Sequence, residues 1–168
     1  VSGSNFDASI AGVGTHVITY TYTYTYADGN SCSVSATKNI TVGVCVNKWK
    51  GTISNAWNTA GNWTNNTVPA TDDNIIFDDA PTNHCLLDQD RSVTDITNDQ
   101  AIYRMVTNGF KLTVKGNLNF SNGAQIDDSV VNSSLEFAGS SAQSIPVGTF
   151  YNNDVYNLVV NNANNVTL

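Results

Sequence analysis

The sequence predicts an all-β protein, and its composition carries that prediction. Charged residues make up only 12% of the chain, about half the share usual in globular domains. Glu occurs once, at Glu136, and Lys and Arg together number 7, so residues that favour helices are scarce. Val, Ile, Thr, Tyr and Phe are plentiful, and these residues favour strands. Frequent Asn and Gly supply the turns that short strands require.

The length and net charge of the chain limit the number of domains and the kinds of partner that we expect. A chain of 168 residues is long enough for one domain, or one and a fraction. The net charge of -7 argues against nucleic-acid binding, which needs basic surfaces, and suits a soluble surface protein. No apolar run reaches membrane-spanning length, so no membrane insertion is expected. The chain starts at Val1 and both ends interrupt a pattern, from which we expect a piece of a longer protein.

Residues 1–46 predict a long β-hairpin. From Thr15 to Tyr26 the alternation is strict, and Asp28-Gly29-Asn30 turns the chain into a second strand from Cys32 to Val42. One face of the first strand carries His16 and Ile18, followed by four tyrosines: Tyr20, Tyr22, Tyr24 and Tyr26. Two strands alone bury too little to be stable in water. The tyrosine face therefore either packs against further structure or offers exposed rings to a sugar or a protein.

Residues 47–69 hold all three tryptophans, Trp49, Trp57 and Trp63. Their spacings of eight and six do not follow a helical stripe. Rings of this size need cover, so we interpret the segment as a linker and a cap for the structure that follows. The functional alternative is a sugar-binding platform built from exposed rings of Trp57 and Trp63.

Residues 70–168 predict a parallel β-helix. Short apolar segments recur at roughly 20-residue intervals, the period of a solenoid coil. We place strands at 75–77, 93–96, 102–106, 112–114, 118–120, 135–137, 156–160 and 166–168. The corners between them are expected to use left-handed Asn and Gly, at Asn108-Gly109, Gly116-Asn117, Asn122-Gly123, Gly139-Ser140 and Asn161-Asn162. Asn side chains at the corners are expected to stack as amide ladders.

Four carboxylates flank the strand at residues 75–77, and oxygen-rich clusters of this kind hold calcium. They are Asp72, Asp73, Asp78 and Asp79. Their spacing does not match the calcium-binding loop pattern, and Asp also caps turns through its own backbone. They are weak calcium candidates, and we expect no cofactor.

Two segments of the chain resemble parts of large secreted surface adhesins of the Bacteroidetes. The string NFDASIAGVGTHVITYTYTYTYADGNSCSVSATKNITV resembles the second half of an immunoglobulin-like repeat, with extra Thr-Tyr pairs as a departure. The pattern W-x-G-x(5)-W-N-T-A-x-N-W, followed by V-P-x-x-x-D-x-I-x-F, resembles a recurring module start, and so does the later FAGSSAQSIPVGTFYNNDVYNLVVNN. The resemblance implies a partial immunoglobulin-like sandwich joined to the β-helix.

The same resemblance implies a location and partners. Such adhesins are similar to gliding-motility or type IX secretion cargo, so it implies an extracellular, cell-surface protein that contacts neighbouring repeats, surface glycans or other proteins. Asp128-Ser129-Val130 matches the short acceptor pattern for O-linked sugar in that phylum, which makes Ser129 a candidate site. The motif also reads as an ordinary turn.

The cysteines are Cys32, Cys45 and Cys85, with no C-x-x-C pair to suggest zinc or redox chemistry. Extracellular proteins usually pair their cysteines. Cys32 and Cys45 lie near opposite ends of one predicted strand, about 40 Å apart, which excludes a bridge between them. We expect a bridge between Cys45 and Cys85 that joins the tryptophan segment to the second segment, and the alternative is three free buried thiols.

Catalysis is not expected. Glycoside hydrolysis needs two facing carboxylates, and the candidates are Asp127 with Asp128 and Asp88 with Asp90. Adjacent strand residues point to opposite faces, which disqualifies the first pair. No nucleophile elbow, phosphate loop or His/Cys/Asp constellation is present. The sequence therefore predicts a mechanical and adhesive segment of a surface adhesin or filament, with a carbohydrate-binding module using exposed Trp or Tyr rings as the alternative.

Overall fold

The computed structural model describes residues 5–12, 14–43, 46–77 and 80–168. The chain divides into two compact units, residues 1–44 and residues 45–168. Within the described residues the only helical segments are the four-residue α1 (Ala8–Ala11) and a 3-10 turn at Ala60–Asn62. The predicted all-β class is confirmed. The division falls slightly before the expected boundary at residue 46, because Val46 already pairs with Asn74 of the second unit.

The first unit is an antiparallel hairpin of β1 (Gly14–Thr25) and β2 (Ser31–Val42). Its register runs without a bulge from Gly14 opposite Val42 to Thr25 opposite Ser31. The Asp28 carboxylate closes the turn by accepting hydrogen bonds from the backbone N–H and the side-chain amide of Asn30, at 3.0 and 2.9 Å. These bonds hold the pKa of Asp28 below its usual value. The long hairpin predicted from alternation is therefore present.

The two faces of the hairpin differ in chemistry. One face is lined by hydroxyls, and these bond across the strands, as between Thr21 and Ser35 at 2.8 Å and Thr23 and Ser33 at 2.7 Å. The other face carries the tyrosines. Its end nearest α1 is half-buried, where the Phe6 ring lies 5.9 Å from that of His16.

The second unit is a parallel β-helix, as the sequence predicts. Its strands are β3 (Val46–Lys48), β4 (Asp73–Phe77), β5 (Cys85–Leu86), β6 (Arg91–Asn98), β7 (Met105–Val106), β8 (Lys111–Val114), β9 (Leu118–Phe120), β10 (Ile126–Asp128), β11 (Ser134–Phe137), β12 (Gln143–Ser144), β13 (Phe150–Val155), β14 (Leu158–Val160) and β15 (Val166–Thr167). They form a seven-stranded sheet ordered β14-β11-β8-β6-β4-β3 with β9 beside β6, a four-stranded sheet ordered β13-β10-β7-β5, and the pair β12-β15. The strand pairs of these sheets are parallel.

From β4 onward, and apart from the irregular pairing of Asp128 with Val155, the register shows that one coil adds 20 to 24 residues. In the large sheet Leu112 pairs with Leu135 and Leu135 with Leu158, a step of 23 each time. In the four-stranded sheet Cys85 pairs with Met105 and Met105 with Ile126, steps of 20 and 21. Each strand of that sheet belongs to a different coil. The roughly 20-residue period read from the sequence is therefore the length of a coil.

The β6 strand carries the chain round a corner. Its first half pairs with β8, from Arg91 opposite Leu112, and its second half pairs with β9, from Ile96 opposite Leu118. The buried side chains of β6 are Val93, Ile96 and Asn98. Two faces of the solenoid are thus continuous at this strand.

The core is a stack of inward apolar side chains from successive coils. In β11 the burial alternates, with Leu135 and Phe137 buried and Ser134 and Glu136 partly exposed, as a strand with one solvated face requires. The members of the core, beside the tryptophans, are Ile75, Phe77, Cys85, Leu87, Val93, Ile96, Met105, Leu112, Val114, Leu118, Ile126, Leu135, Phe137 and Ile145.

The corners use Asn and Gly for two different reasons. Asn108-Gly109 and Asn122-Gly123 adopt positive φ at both residues, as predicted. Gly116 and Gly139 do not, so the expectation of left-handed backbone was wrong there. These two lie where coils touch: a Cβ on Gly139 would sit 2.5 Å from the Lys115 carbonyl oxygen of the preceding coil. Asn161 and Asn162 also keep negative φ.

Five strands of the second unit were missed in the sequence: β3, β5, β10, β12 and β13. Four of them have only two or three residues, too few to show alternation. In β13 the run is interrupted by Asn152 and Asn153, both at positive φ. The predicted strand at 102–106 is shorter in the structure, because Ile102 is exposed and pairing starts at Met105.

We expect Gly139→Ala to destabilise the second unit by about 1–3 kcal/mol, the usual cost of overpacking, because the added methyl meets backbone of the neighbouring coil. Urea unfolding followed by tryptophan fluorescence measures this, since all three indoles lie in that unit. The matched control is Ser140→Ala at the adjacent exposed position. Equal stability of the two variants would show that the coils separate enough to admit a Cβ.

Candidate functional site

The three tryptophans form one buried cluster at the first coil. Trp49, Trp57 and Trp63 are 1%, 1% and 0% exposed. The ring of Trp63 lies 5.0 Å from that of Trp49 and 4.8 Å from that of Trp57, both edge to face, a favourable aromatic geometry. The proposed sugar platform of Trp57 and Trp63 was therefore wrong, because buried rings present no face to a ligand.

The tryptophan segment adds a partial coil to the solenoid. Ala56 pairs in parallel with Leu86, and the Trp57 N–H donates to the Leu86 carbonyl at 3.0 Å. Trp49 Nε1 donates to the Asn83 carbonyl and Trp63 Nε1 to the Trp57 carbonyl, both at 2.8 Å. The segment thus covers the apolar end of the core, as a cap does.

Asn62 organises the loop that holds these rings. Its carboxamide oxygen accepts from the backbone N–H groups of Ile53 and Ser54, at 2.9 and 3.0 Å, and its nitrogen donates to the Ser54 hydroxyl and the Ala56 carbonyl. The side chain is fully buried with all its bonding capacity in use. Sequence reasoning missed it, because one Asn in so Asn-rich a chain carries no signal.

A small polar pocket of about 50 Å³ lies beside Trp57, between Pro69, Ala70, Thr71 and residues 89–92. Arg91 stands 5.5 Å from the centre of the Trp57 ring, and its guanidinium pairs with Asp88 at 2.7 Å. Trp57 Nε1 and Arg91 Nε are buried donors that bond to none of the described residues. The pocket has room for one or two water molecules.

The tyrosine face of the hairpin is open to solvent. Tyr20, Tyr22, Tyr24 and Tyr26 are 73%, 56%, 52% and 52% exposed. Tyr24 and Tyr26 meet edge to face, with ring centres 4.9 Å apart and an interplanar angle of 85°. These two rings do not form a coplanar stacking surface for a sugar.

Two of the calcium candidates, Asp72 and Asp73, are engaged by protein groups. Asp72 bonds Lys115 Nζ at 2.7 Å and the Ser92 hydroxyl at 2.5 Å, and these bonds, led by that to Lys115, keep its pKa below the usual value. Asp73 accepts instead from the Asn47 amide and the Ala70 N–H. Asp78 and Asp79 lie outside the described residues. Among the residues described, no three His, Cys, Asp or Glu side chains cluster as metal ligands do.

Of the two cysteines in the predicted Cys45–Cys85 bridge, the structure describes only Cys85. Cys85 is a free thiol with its side chain in the solenoid core, and burial raises its pKa well above the usual value. Cys45 lies outside the described residues. Cys32 is a free, exposed thiol on the tyrosine face, opposite Tyr24.

The carboxylates considered for catalysis have separate partners. Asp88 pairs with Arg91, and Asp90 accepts the backbone N–H of Lys111 at 2.9 Å. Asp127 points outward, accepting the Ser129 hydroxyl at 2.7 Å, while its neighbour Asp128 is buried. The expectation that these neighbours face opposite sides is therefore correct. Ser129, the candidate sugar acceptor, is exposed on the loop after β10.

Asp128 is a buried acid at the end of β10. Its Oδ2 accepts weakly from the Asn157 N–H at 3.5 Å, and its Oδ1 has no partner among the described residues. Burial raises the pKa of Asp128, and the nearby donors of Thr107, Asn157 and Tyr156 oppose this only in part. The fold therefore disfavours its charged form.

Polar side chains tie successive coils together. The carboxamide of Gln143 donates to the carbonyls of Val114 and Gly116, at 3.1 and 2.6 Å, and accepts from the Gly139 N–H and the Asn162 amide, at 2.9 and 2.8 Å. One buried side chain thus joins three coils.

Glu136 has a similar role on the large sheet. It accepts from the Thr113 hydroxyl at 2.9 Å, Lys111 Nζ at 3.1 Å and the Asn161 amide at 3.2 Å. These groups, Lys111 foremost, lower its pKa.

Corner asparagines bond mainly to the neighbouring coil's backbone. Asn108 donates to the Leu87 carbonyl at 3.0 Å, and Asn164 donates to the Ser140 carbonyl at 2.8 Å. The predicted stack of identical amides was wrong at these corners, because a carbonyl of the adjacent coil is the nearer acceptor.

A second aromatic and cationic group lies on the four-stranded sheet. The Arg104 guanidinium stands 3.6 Å from the centre of the Tyr151 ring and 3.9 Å from Asp127. His84 accepts from the Arg104 N–H at 3.3 Å, and burial together with Arg104 lowers its pKa. Sequence reasoning missed this group, because its four members come from four different coils.

The chain matches no protein-family model, no curated protein and no solved structure. Among the helices of the described residues, none has the length and apolar character needed to cross a membrane.

We expect Asp128→Asn to gain stability relative to the parent protein as pH rises. The folded pKa lies above the unfolded one, so the contribution of Asp128 is fully present below the unfolded pKa of about 3.8 and is lost as pH rises through the folded pKa. The difference in unfolding free energy, variant minus parent, should increase between pH 3 and pH 7. Denaturant titrations at several pH values measure it.

The control for this series is Asp154→Asn, which removes an exposed carboxylate from the next coil. This variant reports what the loss of an exposed carboxylate alone does over the same pH range. The same pH profile for both variants would mean that burial of Asp128 has no effect on stability.

Proposed function

We propose that the chain is a mechanical and adhesive segment of a large extracellular surface protein and does no catalysis. The observation that carries the proposal is the bonding between coils, in which side chains such as Gln143 and Glu136 join neighbouring coils as well as the backbone ladders do. A solenoid in which every coil is stabilised by its neighbouring coils suits a mechanical spacer.

Several features support the surface location. The net charge of -7 favours solubility and separation of copies. The resemblance of the tryptophan segment and of the residues after Phe137 to secreted Bacteroidetes adhesins motivates the proposed partners, which are neighbouring repeats, surface glycans and other proteins.

Outward carboxylates that are neutralised by their own partners support a structural role for these groups over an acid–base one.

The mechanical proposal is tested by pulling the chain between terminal handles in an optical trap. The second unit should unfold in one or a few high-force events that release about 0.36 nm per residue. Gln143→Ala should lower the unfolding force, because it removes bonds across three coils, while Gln89→Ala at an exposed position should not. Gradual low-force extension of the parent chain, or equal forces for both variants, would contradict the proposal.

The runner-up is carbohydrate binding through the exposed tyrosines. It predicts that a glycan array probed with the whole chain gives specific signals, and that Tyr20→Ser abolishes them while Thr21→Ser on the opposite face does not. Stacking on one ring is worth about 1 kcal/mol or more, so the loss should be at least about fivefold. An array without signal would leave the tyrosines with a different role.

A further inference from the structure

The exposed half of the hairpin carries a continuous uncharged patch. The patch lies on one face of the sheet, and its members are Tyr20, Tyr22, Tyr24, Cys32, Val34 and Ala36, with Tyr26 at the turn. All are exposed, Val34 at 66%. We call these residues the tyrosine patch.

In the half of the hairpin nearest the turn, and among the residues described, only the face that carries the tyrosine patch has apolar surface to bury. The opposite side is built from Thr and Ser, whose hydroxyls pair with each other. A two-stranded sheet is marginal in water without a covered face. Covering the patch therefore stabilises the hairpin itself.

The area of the patch fits a weak protein contact. Tyrosines bury roughly 150–250 Å² each when covered, and these four expose half or more of their surface. Together with Val34 and Ala36, the patch offers on the order of 500–700 Å². Two such patches bury about 1,000–1,400 Å², which spans the low end of specific interfaces.

Charge permits two copies to meet here although the whole chain carries -7. The six facing residues include no acid or amine, and the nearest charges are Lys38, one pair along, and Asp28 in the turn. Most of the negative charge lies in the second unit, which holds twelve of the fourteen acids and six of the seven bases.

We propose that the tyrosine patch is a dimer interface, occupied by the same patch of a second copy of this chain. Two flat sheet faces pack about 10 Å apart and bury each other's side chains. An isologous contact needs a surface that is complementary to itself, and an uncharged row of aromatic and small residues meets that need. The proposal does not depend on the function proposed above.

Sedimentation velocity over a range of protein concentrations tests the dimer, with Tyr22→Asp as the disrupting variant. The parent should pass from monomer to dimer, and Tyr22→Asp should weaken association at least about tenfold, because it buries an unpaired charge. The control is Thr19→Asp, which places the same charge on the opposite, exposed face and should dimerise like the parent.

Cys32 supplies a second readout that does not depend on a folding-sensitive variant. In a Cys45→Ser background the reactive thiol is Cys32, since Cys85 is buried in the core. Its labelling rate with a thiol reagent should fall as protein concentration rises through the dimerisation range. Cys32 on the Thr19→Asp variant should show the same protection.

Three results would overturn the proposal. The chain stays monomeric up to about millimolar concentration, the Cys32 thiol is protected in the monomer, or Thr19→Asp weakens association as much as Tyr22→Asp does. A glycan that protects Cys32 in the monomer would assign the patch to carbohydrate instead.

Discussion

The backbone hydrogen bonds of a solenoid are made almost entirely between one coil and the next, and this constraint governs the second unit. Each coil completes the ladder of its neighbour, so an interior coil needs no further cover, whereas a terminal coil does. At the first coil the requirement is met by the buried indoles of Trp49, Trp57 and Trp63. The positions of the indoles depend in turn on Asn62, whose side chain makes hydrogen bonds to backbone groups of the loop between Trp49 and Trp57. Aromatic packing and one buried amide together close the stack.

The polar composition of the chain follows from the same constraint. Long charged side chains are costly to order between coils, while short amides and hydroxyls reach the neighbouring backbone with little loss of freedom. Asn108, Asn164 and Gln143 each bond a carbonyl one coil away. The scarcity of Lys, Arg and Glu and the abundance of Asn thus have a structural cause in the second unit. Some of the charges that remain are paired across neighbouring coils, as Lys111 is with Glu136.

Much of the fold was predictable from the sequence, because it rests on periodicity. The alternation from Thr15 onward predicted β1, and the recurrence near 20 residues predicted the coils. Strands of two residues such as β5 and β12 escaped, since they are defined by pairing across coils and not by local pattern. The sequence also could not show which of two reasons places a glycine at a corner. Gly123 adopts a left-handed backbone conformation, whereas a Cβ on Gly139 would clash with the neighbouring coil.

The candidate site was less predictable. Whether an aromatic residue belongs to the core or to a contact surface depends on how exposed its ring is. The spacing of aromatic residues in the sequence does not reveal that exposure. Trp63 is buried and Tyr20 is exposed, although both stand among polar neighbours in the sequence. Asp128 and the group around Arg104 are assembled from coils far apart along the chain.

The constant step from Leu112 to Leu135 to Leu158 has a consequence for how such a protein can change its length. A tandem duplication of residues 112–134 would start and finish at the same point of the large sheet, so the inserted coil would pair in register with both neighbouring coils. Each copy would extend the rod by about 4.8 Å without disturbing either extremity. Reach is then set in small uniform increments by unequal recombination, with no new fold required.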